Sequence, residues 1–85
     1  MIYNITDVTE SYTESTTVMP DGFGAWMAVN TGTVVSSVLG YELQPGEGLN
    51  FKDAVPAGSL WGKPIQIKVG VGGSVRMTRL YANEK

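Results

Sequence analysis

Two glutamates stand either side of one tight turn: Glu42 and Glu47 flank Pro45-Gly46. Carboxylates held at short range are the pair that glycoside hydrolysis uses, one protonating the leaving oxygen and the other attacking or activating water. Nothing near this pair supports such chemistry, and two solvated charges at a hairpin tip are the simpler expectation. Other reactive sets are missing. The chain has no histidine and no cysteine, which removes the commonest general base and the thiol nucleophile. No serine sits in a nucleophile-elbow pattern. Gly70-Val71-Gly72-Gly73 looks like a phosphate cradle, but such a loop must open a helix, and a strand pattern follows it. Asp7, Glu10, Glu14 and Asp21 are scattered without the dense spacing of a calcium loop. No enzyme, no cofactor and no metal site is expected.

Aromatic and arginine side chains are the better candidates for a binding function. Trp26 lies in an apolar stretch and reads as core. Trp61, between Leu60 and Gly62, is either a lid over one end of the fold or an exposed anchor. Tyr41 and Tyr81 are amphipathic and suit either task. On the last strand Arg76 and Arg79 fall on opposite faces, neither of them purely apolar, so one face is expected to meet a partner. Trp61, Tyr41, Tyr81, Arg76 and Arg79 are thus the candidate binding residues, at a protein interface or on a glycan. Rings exposed together would serve as interface anchors or stack on a sugar face.

The elements that must position these residues are strands. Helical periodicity is absent, and turn residues recur at short intervals. Strands are expected over Tyr3–Val8 (an edge), Tyr12–Val18, Gly24–Asn30 (central), Thr33–Leu39, Tyr41–Gln44, Gly48–Phe51, Ile65–Val69 and Ser74–Ala82, some of them merging. Asn30-Thr31-Gly32, Pro45-Gly46 and Gly70–Gly73 read as hairpin turns, Met19–Gly22 as a further turn, and Gly40 as a bulge in a long strand. Lys52–Gly58 reads as a loop. The fold class is all-β: a single domain over residues 1–85, an antiparallel β-sandwich of jelly-roll or Ig-like type with about seven strands.

At 85 residues the chain is near the lower end of what folds unaided, and it has no disulfide or zinc staple. Oligomerisation is the remaining staple. Net charge is only −2, but all six bases (Lys52, Lys63, Lys68, Arg76, Arg79, Lys85) follow residue 51, while six of the eight acids precede it. Early and late strands that pair would neutralise this split internally; otherwise acidic and basic faces of neighbouring copies would meet head to tail. No basic cluster stands apart, so nucleic acid is not an expected partner. No apolar run is long enough to span a membrane, and residues 1–6 show no secretory pattern.

Gly40-Tyr41-Glu42-Leu43-Gln44-Pro45-Gly46-Glu47-Gly48-Leu49-Asn50-Phe51, preceded by Val29-Asn30-Thr31-Gly32, resembles small β-sandwich structural proteins of tailed bacteriophages and prophages. So do Pro64-Ile65-Gln66-Ile67 and Val75-Arg76-Met77-Thr78-Arg79-Leu80-Tyr81. The resemblance spans residues 26–82 and implies a capsid decoration or head-fibre role. That role places the chain in the virion, after synthesis in the bacterial cytoplasm, among other phage structural proteins and further copies of itself. The alternatives are a carbohydrate-binding module, using Trp61 and Tyr41, and a small phage regulator of a host enzyme.

Overall fold

The computed structural model describes residues 3–51 and 60–84, which form eight strands and no helix. They are β1 (Tyr3–Tyr12), β2 (Thr16–Val18), β3 (Ala25–Asn30), β4 (Ser36–Val38), β5 (Tyr41–Leu43), β6 (Gly48–Asn50), β7 (Ile65–Lys68) and β8 (Val75–Glu84). Two antiparallel four-stranded sheets pack as a sandwich: sheet A in the order β1-β8-β3-β6 and sheet B in the order β2-β7-β4-β5. First pairs with last, second with seventh, third with sixth, and fourth with fifth. That nested pairing makes the fold a jelly roll and not an Ig-like sandwich. The loop expected over Lys52–Gly58 lies outside the described residues.

Alternation of apolar residues sets which side of each strand is buried. Trp26, Ala28 and Asn30 of β3, Val75 and Met77 of β8, Ile65 and Ile67 of β7, and Val38, Leu43 and Val18 of sheet B all point between the sheets. Phe23, from the β2–β3 link, completes the core. The expected edge position of β1 and central position of β3 are both found, as is the two-sided division of β8.

The expected hairpins are where the sequence misleads. β3 and β4, β5 and β6, and β7 and β8 lie in different sheets, so Asn30–Gly32, Pro45-Gly46 and Gly70–Gly73 carry the chain across the sandwich and close no hairpin. Pro45-Gly46 does make the expected turn, with Gly46 at φ 87° and the Glu47 amide donating to Gln44 O at 2.9 Å. The strands it joins then diverge into separate layers. Gly40, expected to be a bulge, is instead half of a two-residue turn between β4 and β5, the one tight hairpin among the described residues. Leu39 (φ 54°) and Gly40 (φ 85°) both adopt the left-handed conformation that a type I′ turn demands. Leu39 is held there by its packing against the core and by its amide, which donates to Gln66 O at 2.8 Å.

Four crossings share one end of the sandwich, and two of them, β3–β4 and β5–β6, are joined through Asn30, which is 1% exposed. Its Nδ2 donates to Val34 O and to Leu43 O, both at 2.8 Å, and its Oδ1 accepts the Gly32 amide at 2.9 Å. Its backbone receives the Gly46 amide and donates to Glu47 O, each at 2.9 Å. The β7–β8 link closes on the same end: Thr31 and Gly32 amides donate to Ser74 O, and the Gly70 amide donates to Ser36 Oγ. Gly70 lies so close that a Cβ there would sit 2.5 Å from Val35 O.

Replacing Asn30 by Ala removes three side-chain hydrogen bonds and leaves carbonyls buried without donors, and should cost about 2–4 kcal/mol. Gly40→Ala meets no atom but must hold a positive φ, costing about 1–2 kcal/mol. Gly62→Ala, also unobstructed and without that φ, should be near neutral. Urea denaturation of the three variants checks this order.

Candidate functional site

The end opposite Asn30 carries the links β2–β3, β4–β5 and β6–β7, and it is closed by aromatic rings. Trp26 stacks on Phe51 (centroids 4.8 Å apart, planes at 22°), and Trp61 meets both edge-on at 5.5 and 5.4 Å. Trp61 is anchored by its amide, which donates to Phe23 O at 2.9 Å, and Lys63 Nζ lies 5.7 Å from its ring. Trp61 is thus half-buried, packed against the core at this end of the sandwich. A shallow open groove, lined by Leu60, Trp61, Gly62 and Lys63, runs beside it. Tyr41, 55% exposed, begins β5 at the same end, where Met19 and Leu60 are also exposed.

Arg79 and Tyr81 point between the layers, beyond the part that sheet B covers. Arg79 is only 9% exposed. Its Nη2 donates to Glu10 Oε1 of β1, and its Nη1 lies 3.7 Å from Asp21 Oδ2 of the β2–β3 link. The Tyr81 hydroxyl donates to Asp21 Oδ1 at 2.7 Å, and its ring meets Phe23 edge-on at 6.1 Å. Together the two side chains clamp the β2–β3 link onto β8. Two early acids thereby meet one late base, Arg79, inside one molecule.

Arg76 lies elsewhere, on the outer face of sheet A. Register gives three rows across that face: Gly48-Val29-Arg76-Ser11, Asn50-Met27-Thr78-Thr9 and Ala25-Leu80-Asp7. Val29, Met27, Ala25 and Leu80 form a half-exposed apolar strip between Arg76 and Asp7. The outer face of sheet B has no such strip; its rows are Thr17-Gln66 and Lys68-Ser37-Glu42. The five candidate residues therefore divide among the aromatic end, an internal clamp and a sheet face. The strip itself escaped the sequence reading, although Met27 and Val29 alternate with Trp26, Ala28 and Asn30 in a strand apolar on both sides.

The carboxylate pair does not converge on a site. Glu47 Oε1 accepts the Gln44 amide at 2.7 Å and so braces its own turn, while Glu42 faces solvent on sheet B. Gly70–Gly73 forms a turn closed by the Gly73 amide donating to Gly70 O, with Val71 fully exposed at its tip. Among the described residues no three of His, Cys, Asp and Glu are grouped to hold a metal, and no helix is long and apolar enough to cross a membrane.

Comparison with known proteins adds no relative: no family model, no curated protein and no solved structure matches the chain.

Two phenols hold their protons more tightly than usual: Tyr81 of the clamp, and Tyr12, whose hydroxyl donates to Glu10 Oε2 at 3.3 Å. Tyr81 is raised above the usual value by burial and then by its hydrogen bond to Asp21; Tyr12 is raised by burial and then by the charge of Glu10. The fold thus favours the protonated phenols. Their contribution is fully present below the unfolded value, about pH 10, and is lost as pH rises through the folded values. The denaturation midpoint should fall above about pH 10, and the Tyr12→Phe/Tyr81→Phe double variant should flatten that fall.

Proposed function

We propose that the chain is a non-enzymatic structural protein of a tailed-phage virion, a capsid decoration or head-fibre module that acts through protein–protein assembly. The observation that carries this reading is the difference between the two outer faces. The Met27-Val29-Leu80 strip on sheet A is suited to lie against another protein, and the polar face of sheet B is suited to water. The jelly roll is compatible with this role, since capsid domains use it, but lectins and cupins use it too. The resemblance over residues 26–82 supports the virion assignment, with other capsid or fibre proteins as partners. Among the described residues Arg79 is paired and Arg76, Lys63 and Lys68 lie apart, which favours a protein over a nucleic-acid partner.

A second reading, glycan adhesion, is favoured by Tyr41, whose ring is exposed at the same end as Trp61. It ranks below assembly because Trp61 spends much of its surface on Trp26 and Phe51. Trp61 fluorescence during titration with a broad glycan panel decides it; an unchanged signal throughout removes this reading.

Purified protein should co-sediment with capsid or fibre particles assembled without it. Met27→Glu should weaken that binding at least about tenfold, the loss of one buried apolar anchor, whereas Gln66→Glu on the opposite face should leave it unchanged. A folded protein with no affinity for any capsid or tail protein overturns the proposal.

A further inference from the structure

We infer that a second copy of this chain adds to sheet A along β1, antiparallel about a two-fold axis at Val8, so that two sandwiches share one continuous sheet. The inference goes beyond the virion reading and does not require it.

Edge strands are usually kept short, because their open hydrogen-bonding groups invite other strands. Three of the four edges here, β2, β5 and β6, are three residues long. The fourth, β1, runs for ten, and no described strand lies on its outer side. Beyond the Ala25–Leu80 pair, moreover, the ladder among the described strands narrows to β1 and β8 alone, residues 3–6 facing 81–84. A two-stranded ribbon is marginal in water and gains from a third strand.

Antiparallel addition about Val8 supplies that strand to both copies at once. Positions 4–12 then pair, and residues 4–6 of each ribbon lie against residues 10–12 of the other copy, where sheet A is at its full width. The contact provides about eight to ten backbone hydrogen bonds, the number typical of a specific interface. Being two-fold, it closes on itself and leaves no growing edge.

Register follows from side-chain direction and charge. Keeping both apolar strips on one side of the joined sheet requires that facing residues come from the same side of β1. The two longest registers that satisfy this centre on Asp7 or on Val8. Centring on Asp7 sets that carboxylate against its own copy, which is unfavourable. Centring on Val8 sets Asp7 against Thr9 and Glu10 against Thr6, with no like charges opposed. Both apolar strips then lie on the same side of the joined sheet.

The full chain should sediment as a dimer. Since it contains no cysteine, Val8→Cys places two thiols opposite each other at the axis, within disulfide reach, and should cross-link on mild oxidation. Thr9→Cys sets them roughly 8 Å apart on the diagonal, too far to bridge, and should not. Thr9→Asp opposes two like-charged pairs and should raise the dimer dissociation constant roughly two- to thirtyfold. A folded monomer at high concentration overturns the inference, as does equal cross-linking of the two cysteine variants; preferential cross-linking of Asp7→Cys overturns the register. Dimers that bind no virion particle sink the assembly role alone.

Discussion

One buried amide holds the two layers of this sandwich in relation. A jelly roll must carry its chain from sheet to sheet at nearly every link, and each crossing exposes carbonyls and amides that no ladder satisfies. Asn30 meets several of these at once. It stands at the end of a central strand of sheet A and reaches Leu43 at the end of an edge strand of sheet B, while its backbone secures the turn between them. An apolar residue there would pack, but it would leave Val34 O and Leu43 O without donors; a charged one would be buried unpaired. Asparagine is the side chain with two donors and an acceptor in one compact plane.

The two ends solve the same closure problem by different means. Hydrogen bonds lace the Asn30 end, where Ser15, Ser36 and Ser74 lend hydroxyls or carbonyls to neighbouring loops. Rings close the other: Trp26, Phe51 and Trp61 fill the opening, and Phe23 with Tyr81 continues the cover toward β8. The candidate binding residues Trp61, Arg79 and Tyr81 are drawn into this second arrangement. Among the described residues, the outer surface of sheet A, its long edge and the exposed ring of Tyr41 stay outside it.

Most strands and their buried sides were legible in the sequence because alternation is local: Ile65 and Ile67 against Gln66 and Lys68 announce an inner and an outer side without reference to the rest of the chain. Trp26 as core, β1 as an edge and the turn at Pro45-Gly46 were legible for the same reason. The break between β1 and β2 was not, since β1 runs on past Val8 to Tyr12 and only Thr16–Val18 of the strand expected over Tyr12–Val18 forms. Nor was pairing. A Pro-Gly turn between two strands looks the same whether the strands then lie side by side or part into separate layers, and the choice depends on β5 pairing with β4 while β6 pairs with β3. The β4–β5 hairpin was hidden by Leu39, whose left-handed conformation nothing in a leucine advertises. At the candidate site, the residue types of Trp61 and Arg79 are plain in the sequence, while their engagement by Phe51, Glu10 and Asp21 arises only from long-range pairing.

Nested pairing also governs when this protein can come into being. Sheet A is built around β8, which lies between β1 and β3 and joins them. Of the eight strands, β8 is the last to leave the ribosome. Until then β1 has no neighbour, β3 lacks one of its two, and the small β4–β5 hairpin is the one local structure able to form. The apolar strip therefore takes shape only when β8 has paired with β3, so a partner that recognises it recognises the assembled sheet and not the separate strands.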